Sequence, residues 1–231
     1  MNKFMLKTTI LAVALILATT AMTFAQTATP ENQFTVSRNS AGTGMIITGY
    51  TGTGGVIVIP ARIQNLPVVE IGDNAFSTTN RNSRNVGSIT SVTIPSGVTR
   101  IGNQAFFDCR VLSSVTIPNT VTVIGDSAFQ GTALTSITIP NSVTNLGQMV
   151  FAETRLRTIT IPSSITVLQD GLFYDCASLT TVTIQGSSVR IGEAVFYGVP
   201  NLQIRVPANS VNAYKTASAN WSTWADKIVS Q

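Results

Sequence analysis

The chain has 231 residues, 44% of them hydrophobic and only 10% charged, with a formal net charge of +4 and no histidine. Its apolar content and low charge argue against disorder, and the weak, scattered positive charge argues against a nucleic-acid binder. The lack of histidine excludes Ser-His-Asp and Cys-His catalysis and every His-ligated metal site.

Met1 to Ala25 reads as an export signal. Lys3 and Lys7 give a basic start, Ile10 to Ala18 is uninterrupted apolar sequence, and Thr23-Phe24-Ala25 resembles a small-residue cleavage site. A membrane anchor is the rival reading, but the apolar run falls well short of the ~20 residues needed to cross a bilayer. Removal of the signal takes two lysines with it and lowers the formal charge from +4 to +2. The mature chain is expected to carry no membrane span and to be exported: extracellular, on the cell surface or periplasmic.

Residues 26–58 read as an N-terminal cap region. Phe34 to Tyr50 is polar and dotted with glycine, with a strand at Met45-Ile46-Ile47. Gly49 to Gly55 lacks the Gly-Lys-Ser/Thr ending of a phosphate loop, so it reads as a turn between strands.

From residue 59 to 206 the chain repeats. Ile59, Ile94, Ile117, Ile139, Ile161, Ile184 and Val206 recur at an interval of 35 and then of 22 or 23, mostly followed by proline. Ile71, Ile101, Ile124, Leu146, Leu168 and Ile191 recur in step, each with a phenylalanine five residues later: Phe76, Phe106, Phe129, Phe151, Phe173 and Phe196. Within one unit, Leu112, Val115 and Ile117 alternate with Ser114 and Thr116, the pattern of a short half-buried strand. Pro118 removes a backbone donor and ends it. Asp126 then stands where it can cap one helical turn leading to Phe129. Asp73, Asn103, Gln148, Asp170 and Glu193 share that slot, as helix starts rather than metal ligands. A single unit cannot offset the entropy of ordering it, at about 1–2 kcal/mol per residue. Units stacked side by side bury one continuous core, the solution adopted by solenoids.

Leu112-Ser-Ser-Val115-Thr-Ile117-Pro118, Val121, Ile124-Gly125 and Ala128-Phe129 together resemble the BspA-type leucine-rich repeat. The resemblance runs from about residue 46 to 231. It departs at Gln169, which replaces the glycine, at Gln185, which replaces the proline, and at Val150, Leu172 and Val195, which replace alanine. It implies an α/β, right-handed leucine-rich-repeat solenoid of about six rungs. A parallel β-ladder would form one face, with short helical turns or loops on the other. Proteins of this kind are associated with adhesion to host matrix proteins and to other microbes.

Two insertions interrupt the repeat. Ala61 to Val69 lengthens the first rung, and residues 77–88 form a polar loop carrying Arg81 and Arg84, read as a solvated spacer or as a binding loop. Residues 207–231 change period; Tyr214, Trp221 and Trp224 fall at helix-like spacing and read as a C-terminal cap or as a sugar-stacking platform. Cys109 and Cys176 occupy equivalent positions three rungs apart. Strand spacing puts them roughly 14 Å from each other, beyond the ~7 Å between Cα atoms that a disulfide allows, so both are expected to be buried free thiols.

Stacked strands align their outward residues into columns: Ser91 and Thr93, Ser114 and Thr116, Ser136 and Thr138, Thr158 and Thr160, Thr181 and Thr183, then Gln203 and Arg205. These twelve residues are the candidate ligand-binding set, an almost uncharged sheet of hydroxyls. The plainer alternative is that β-branched threonine simply suits an exposed strand. No catalytic, metal or cofactor constellation stands out. The expected function is non-enzymatic binding of a protein or glycan on host or neighbouring cells, and the alternative is a structural envelope protein without a tight ligand.

Overall fold

The computed structural model describes residues 27–231. The export segment Met1–Ala25 lies outside the described residues. Each repeat forms one coil carrying two short strands and a tight turn, and successive coils stack in parallel. The first ladder joins Gly55–Val58, Ile89–Thr93 and Ser114–Thr116, then resumes with Thr158–Ile161, Thr181–Ile184, Gln203–Val206 and Ile228–Ser230. A second ladder, not foreseen from the sequence, runs through the Ile-Gly positions. It joins Met45–Tyr50, Leu66–Ile71, Arg100–Ile101, Val123–Ile124 and Asn145–Leu146, and separately Val167–Leu168 with Arg190–Ile191.

The six repeat phenylalanines lie inside as one file, each with no exposed surface. Their rings stack face to face with centroids 5.0–6.0 Å apart and planes within 10° of parallel. The N-terminal hairpin, Phe34–Arg38 against Met45–Tyr50, lengthens this file by two rings, Tyr50 on Phe76 and Phe34 on Tyr50. At the other end Trp224 meets Phe196 edge-on at 5.5 Å. Two short helices, Val211–Thr216 and Ala219–Ser222, bring Tyr214 and Trp221 over the core, where both are buried.

The far side of each coil is a turn, and the helical turn capped by Asp126 is not formed. Asn74, Gln104, Ser127, Met149, Gly171 and Ala194, the residues two before each phenylalanine, all have φ between 50° and 61°. A left-handed residue at every coil is incompatible with an α-helix. The backbone donors go to the next coil instead: Gln104 N–H to Asp126 C=O, Phe106 to Ala128 and Asp108 to Gln130. The slot side chains do the same. Asp73, Asn103, Asp126 and Asp170 each accept, through Oδ1, the backbone N–H of the slot residue one coil on, at 2.8–2.9 Å.

Both insertions are tied down. Arg62–Ile63 folds back on Leu66–Ile71 as an antiparallel hairpin, with Gln64 and Asn65 left-handed at its tip. Residues 77–88 are fastened over the opening coil rather than solvated throughout. Ser83 bridges Ala75 C=O and Tyr50 N–H, Asn80 donates to Thr48 C=O, and Asn85 donates to Gly52 C=O.

Candidate binding face

The first ladder fixes the register of the candidate residues. Ser91 stands beside Ser114 and Thr93 beside Thr116. Thr158, Thr181 and Gln203 form one row, and Thr160, Thr183 and Arg205 the next. Their side chains point outward because the alternating Val92, Ile159, Val182 and Ile204 are held in the core. The face ends in valine on both sides: Val56, 50% exposed, beside Ser91, and Val229 beside Arg205. Arg205 is the one ionisable group among the twelve, and its Nε donates to Gln203 Oε1 at 2.9 Å.

Ser136 and Thr138 depart from the expected columns. They are exposed, as the repeat requires, but their segment is not a ladder strand. Ser136 to Ile139 makes no backbone–backbone hydrogen bond on either side, and the ladder is interrupted there. Between this segment and Thr158–Thr160 lies a groove of about 330 Å³, closed at its ends by Asn141, Pro162 and Gln185.

One residue accounts for the separation of these coils. At Gly102, Gly125 and Gly147 a Cβ would lie 2.5–2.7 Å from the backbone nitrogen of the preceding coil's slot residue, closer than atoms can approach. Only glycine permits that contact. These glycines donate to Ile71, Ile101 and Ile124 C=O, and Gly192 donates to Leu168 C=O. Gln169 carries a Cβ at this position, and the corresponding bond to Leu146 is missing. The second ladder breaks at the same step, between Asn145–Leu146 and Val167–Leu168. The slot contact changes as well: Gln148 Nε2 donates to the Asp170 carboxylate at 3.2 Å, where elsewhere a carboxylate or amide oxygen accepts a backbone N–H.

Other features lie away from this face. A cavity of about 530 Å³ opens beside Phe196, Tyr197, Pro200 and Trp224, where the aromatic file ends. Tyr197 is 59% exposed and stacks on Tyr174 at 5.0 Å; this pair was missed because attention to the phenylalanines hid the column that follows them. Trp224 lines the cavity while Tyr214 and Trp221 pack as a cap, so the three do not form one sugar-stacking platform. Arg100 bridges Glu70 and Asp73 across two coils. Among the described residues no group of three or more acidic or cysteine side chains is placed to hold a metal.

Cys109 and Cys176 are free and buried. Burial, reinforced by the Asp108 charge, pushes the Cys109 thiol up to about 12. Burial also raises Cys176, although Thr154 donates some opposing stabilisation. Each sulfur lies within hydrogen-bond reach of a core carbonyl, Cys109 of Phe76 and Cys176 of Phe151. Thr132 and Thr154 take the same position in the two intervening coils and donate to Phe129 and Phe151 C=O.

Residues 69–203 match the BspA type leucine rich repeat region in six copies, more than half of the chain. The protein belongs to the BspA-type leucine-rich repeat family. Among solved structures, a T. pallidum leucine-rich repeat protein is 28% identical, with 76% of this chain and 92% of that chain covered and a TM-score of 0.58. A leucine-rich repeat protein from Eubacterium ventriosum is 29% identical, over 73% of this chain and 40% of that one, with a TM-score of 0.50. No curated protein shows a significant match. Among the described residues no helix is long and apolar enough to cross a membrane.

Proposed function

We propose that this BspA-type protein is an exported, non-enzymatic binding protein that docks a protein or glycan of host or neighbouring cells through its Ser/Thr-lined face. The supporting observation is the strand register, which sets Thr93 beside Thr116 and Thr160 beside Thr183, exposing hydroxyls in rows with almost no charge. Such a surface offers donors and acceptors without long-range steering, so association depends little on salt. Its rigidity limits the ordering cost of docking.

The test uses protein expressed from the full chain with its own leader, assayed for retention on immobilised matrix proteins, mucin and whole cells. Thr116→Glu with Thr160→Glu is expected to abolish retention, because a docked partner would bury unpaired charge. Retention unchanged in that variant overturns the assignment to this face. Absence of retention on every target favours a structural role in the envelope.

A further inference from the structure

We propose that the groove between Ser136–Asn141 and Thr158–Pro162 is a pocket for a short stretch of uncharged oligosaccharide, held open by Gln169. This rests on the binding role proposed above and assigns it a ligand class and a place. Three independent repeat contacts fail at one step of the stack. The glycine N–H bond to the preceding coil, the slot oxygen's bond to a backbone N–H, and the strand pairing of the first ladder are all missing between the Phe151 and Phe173 coils. The side chain that prevents close approach, Gln169, sits in the same coil as Thr158 and Thr160.

The groove selects by the groups it presents. The hydroxyls of Ser136, Thr138, Thr158 and Thr160 and the amides of Asn141 and Gln185 mix donors with acceptors. The backbone N–H and C=O groups of Ser136–Ile139, free of partners in the fold, add more of both. A sugar hydroxyl donates and accepts at one atom, so it matches such a mixture and can replace the water it displaces. None of the lining residues is ionisable, so an acidic or sulfated sugar would lose hydration without gaining a cation. A peptide strand is disfavoured. Strand addition needs an open edge in the plane of the sheet, and here coils occupy both sides. A volume of about 330 Å³ lies at the small end of ligand pockets, below what a protein surface fills.

Titration calorimetry of the leader-processed protein with cellohexaose, maltohexaose, xylohexaose, mannohexaose and chitohexaose tests this, with heparin and a random peptide library as comparisons. At least one neutral hexasaccharide is expected to bind. Thr138→Val with Thr160→Val should weaken it about tenfold, corresponding to two lost hydrogen bonds. Gln169→Gly should weaken it at least as much, Gln169→Ala should retain it, and Arg110→Gln on the opposite side should leave it unchanged. Amide exchange gives a second readout without a ligand: Gln169→Gly should protect the amides of residues 139 and 169. Binding to none of the hexasaccharides, binding insensitive to the paired valines, or unchanged exchange in Gln169→Gly would overturn the proposal. So would heparin or peptide binding through the same residues. Loss of cell retention in Thr116→Glu with Thr160→Glu, without saccharide binding, removes the pocket while leaving the broader face in place.

Discussion

Asp126 Oδ1 accepts the backbone N–H of Gln148 at 2.9 Å, a bond from one coil to the next. The same bond recurs from Asp73 to Asn103, Asn103 to Asp126 and Asp170 to Glu193. A residue type suited to capping its own turn thus serves as a clasp on its neighbour. Asp126→Ala is expected to cost about 1–2 kcal/mol, since a charge-assisted bond is removed but water reaches the site. Asp126→Asn, which keeps the accepting oxygen, should recover most of that. Urea midpoints of the two variants check this.

Phe129 stacks between Phe106 and Phe151 at 5.3 and 6.0 Å. Phe129→Ala is expected to destabilise by about 3–5 kcal/mol, because the flanking coils cannot close over the void. For a chain of this size that lowers the melting temperature by roughly 10 °C. Phe34→Ala, at the end of the file, should cost less.

Ala194 holds φ at +50° without a polar side chain to help it, while Gly171 holds φ at +61° in the preceding coil. Ala194→Gly is expected to stabilise by about 0.5–1 kcal/mol, as relief of left-handed strain exceeds the entropy glycine adds to the unfolded chain. Gly171→Ala should destabilise, both through its φ and because the new Cβ would fall 2.9 Å from Met149 Cγ. Opposite shifts in melting temperature for this pair are the check.

Burial raises the Cys109 thiol and the Tyr214 hydroxyl, each to about 12. Both groups are therefore neutral in the fold at pH values where the unfolded chain has begun to ionise them. Their contribution is full below about pH 9, the ordinary thiol range, and falls as pH rises towards 12. The melting temperature is expected to decline across that window. With no histidine in the chain, no imidazole titration contributes near neutrality. Native thiols should resist a disulfide reagent at pH 8 and react on unfolding.

The fold was legible because each coil repeats its buried residues at fixed offsets; Phe106, Phe129 and Phe151 could only meet if the units stack. Cys109 and Cys176 followed from the same alignment. The turn chemistry was harder to read, because Asp126 has the chemistry of a helix cap and only the path of the backbone shows which N–H it reaches. The break at Ser136–Thr138 was hidden for a different reason. Leu134 to Pro140 keeps the same pattern as its neighbours, and the residue that holds the coils apart, Gln169, lies some thirty residues on. In the sequence it stood out only as a departure from glycine, and its effect depends on how closely Gly147 already packs against Asp126.

That single departure also gives the molecule a mechanical joint. Load applied between the N-terminal hairpin and the strand Ile228–Ser230 is shared by two ladders along most of the length, but at Gln169 it passes mainly through the turns, by Met149 N–H to Asp170 C=O and Phe151 N–H to Leu172 C=O. Under tension the rod yields there first, as two stiff segments on a hinge.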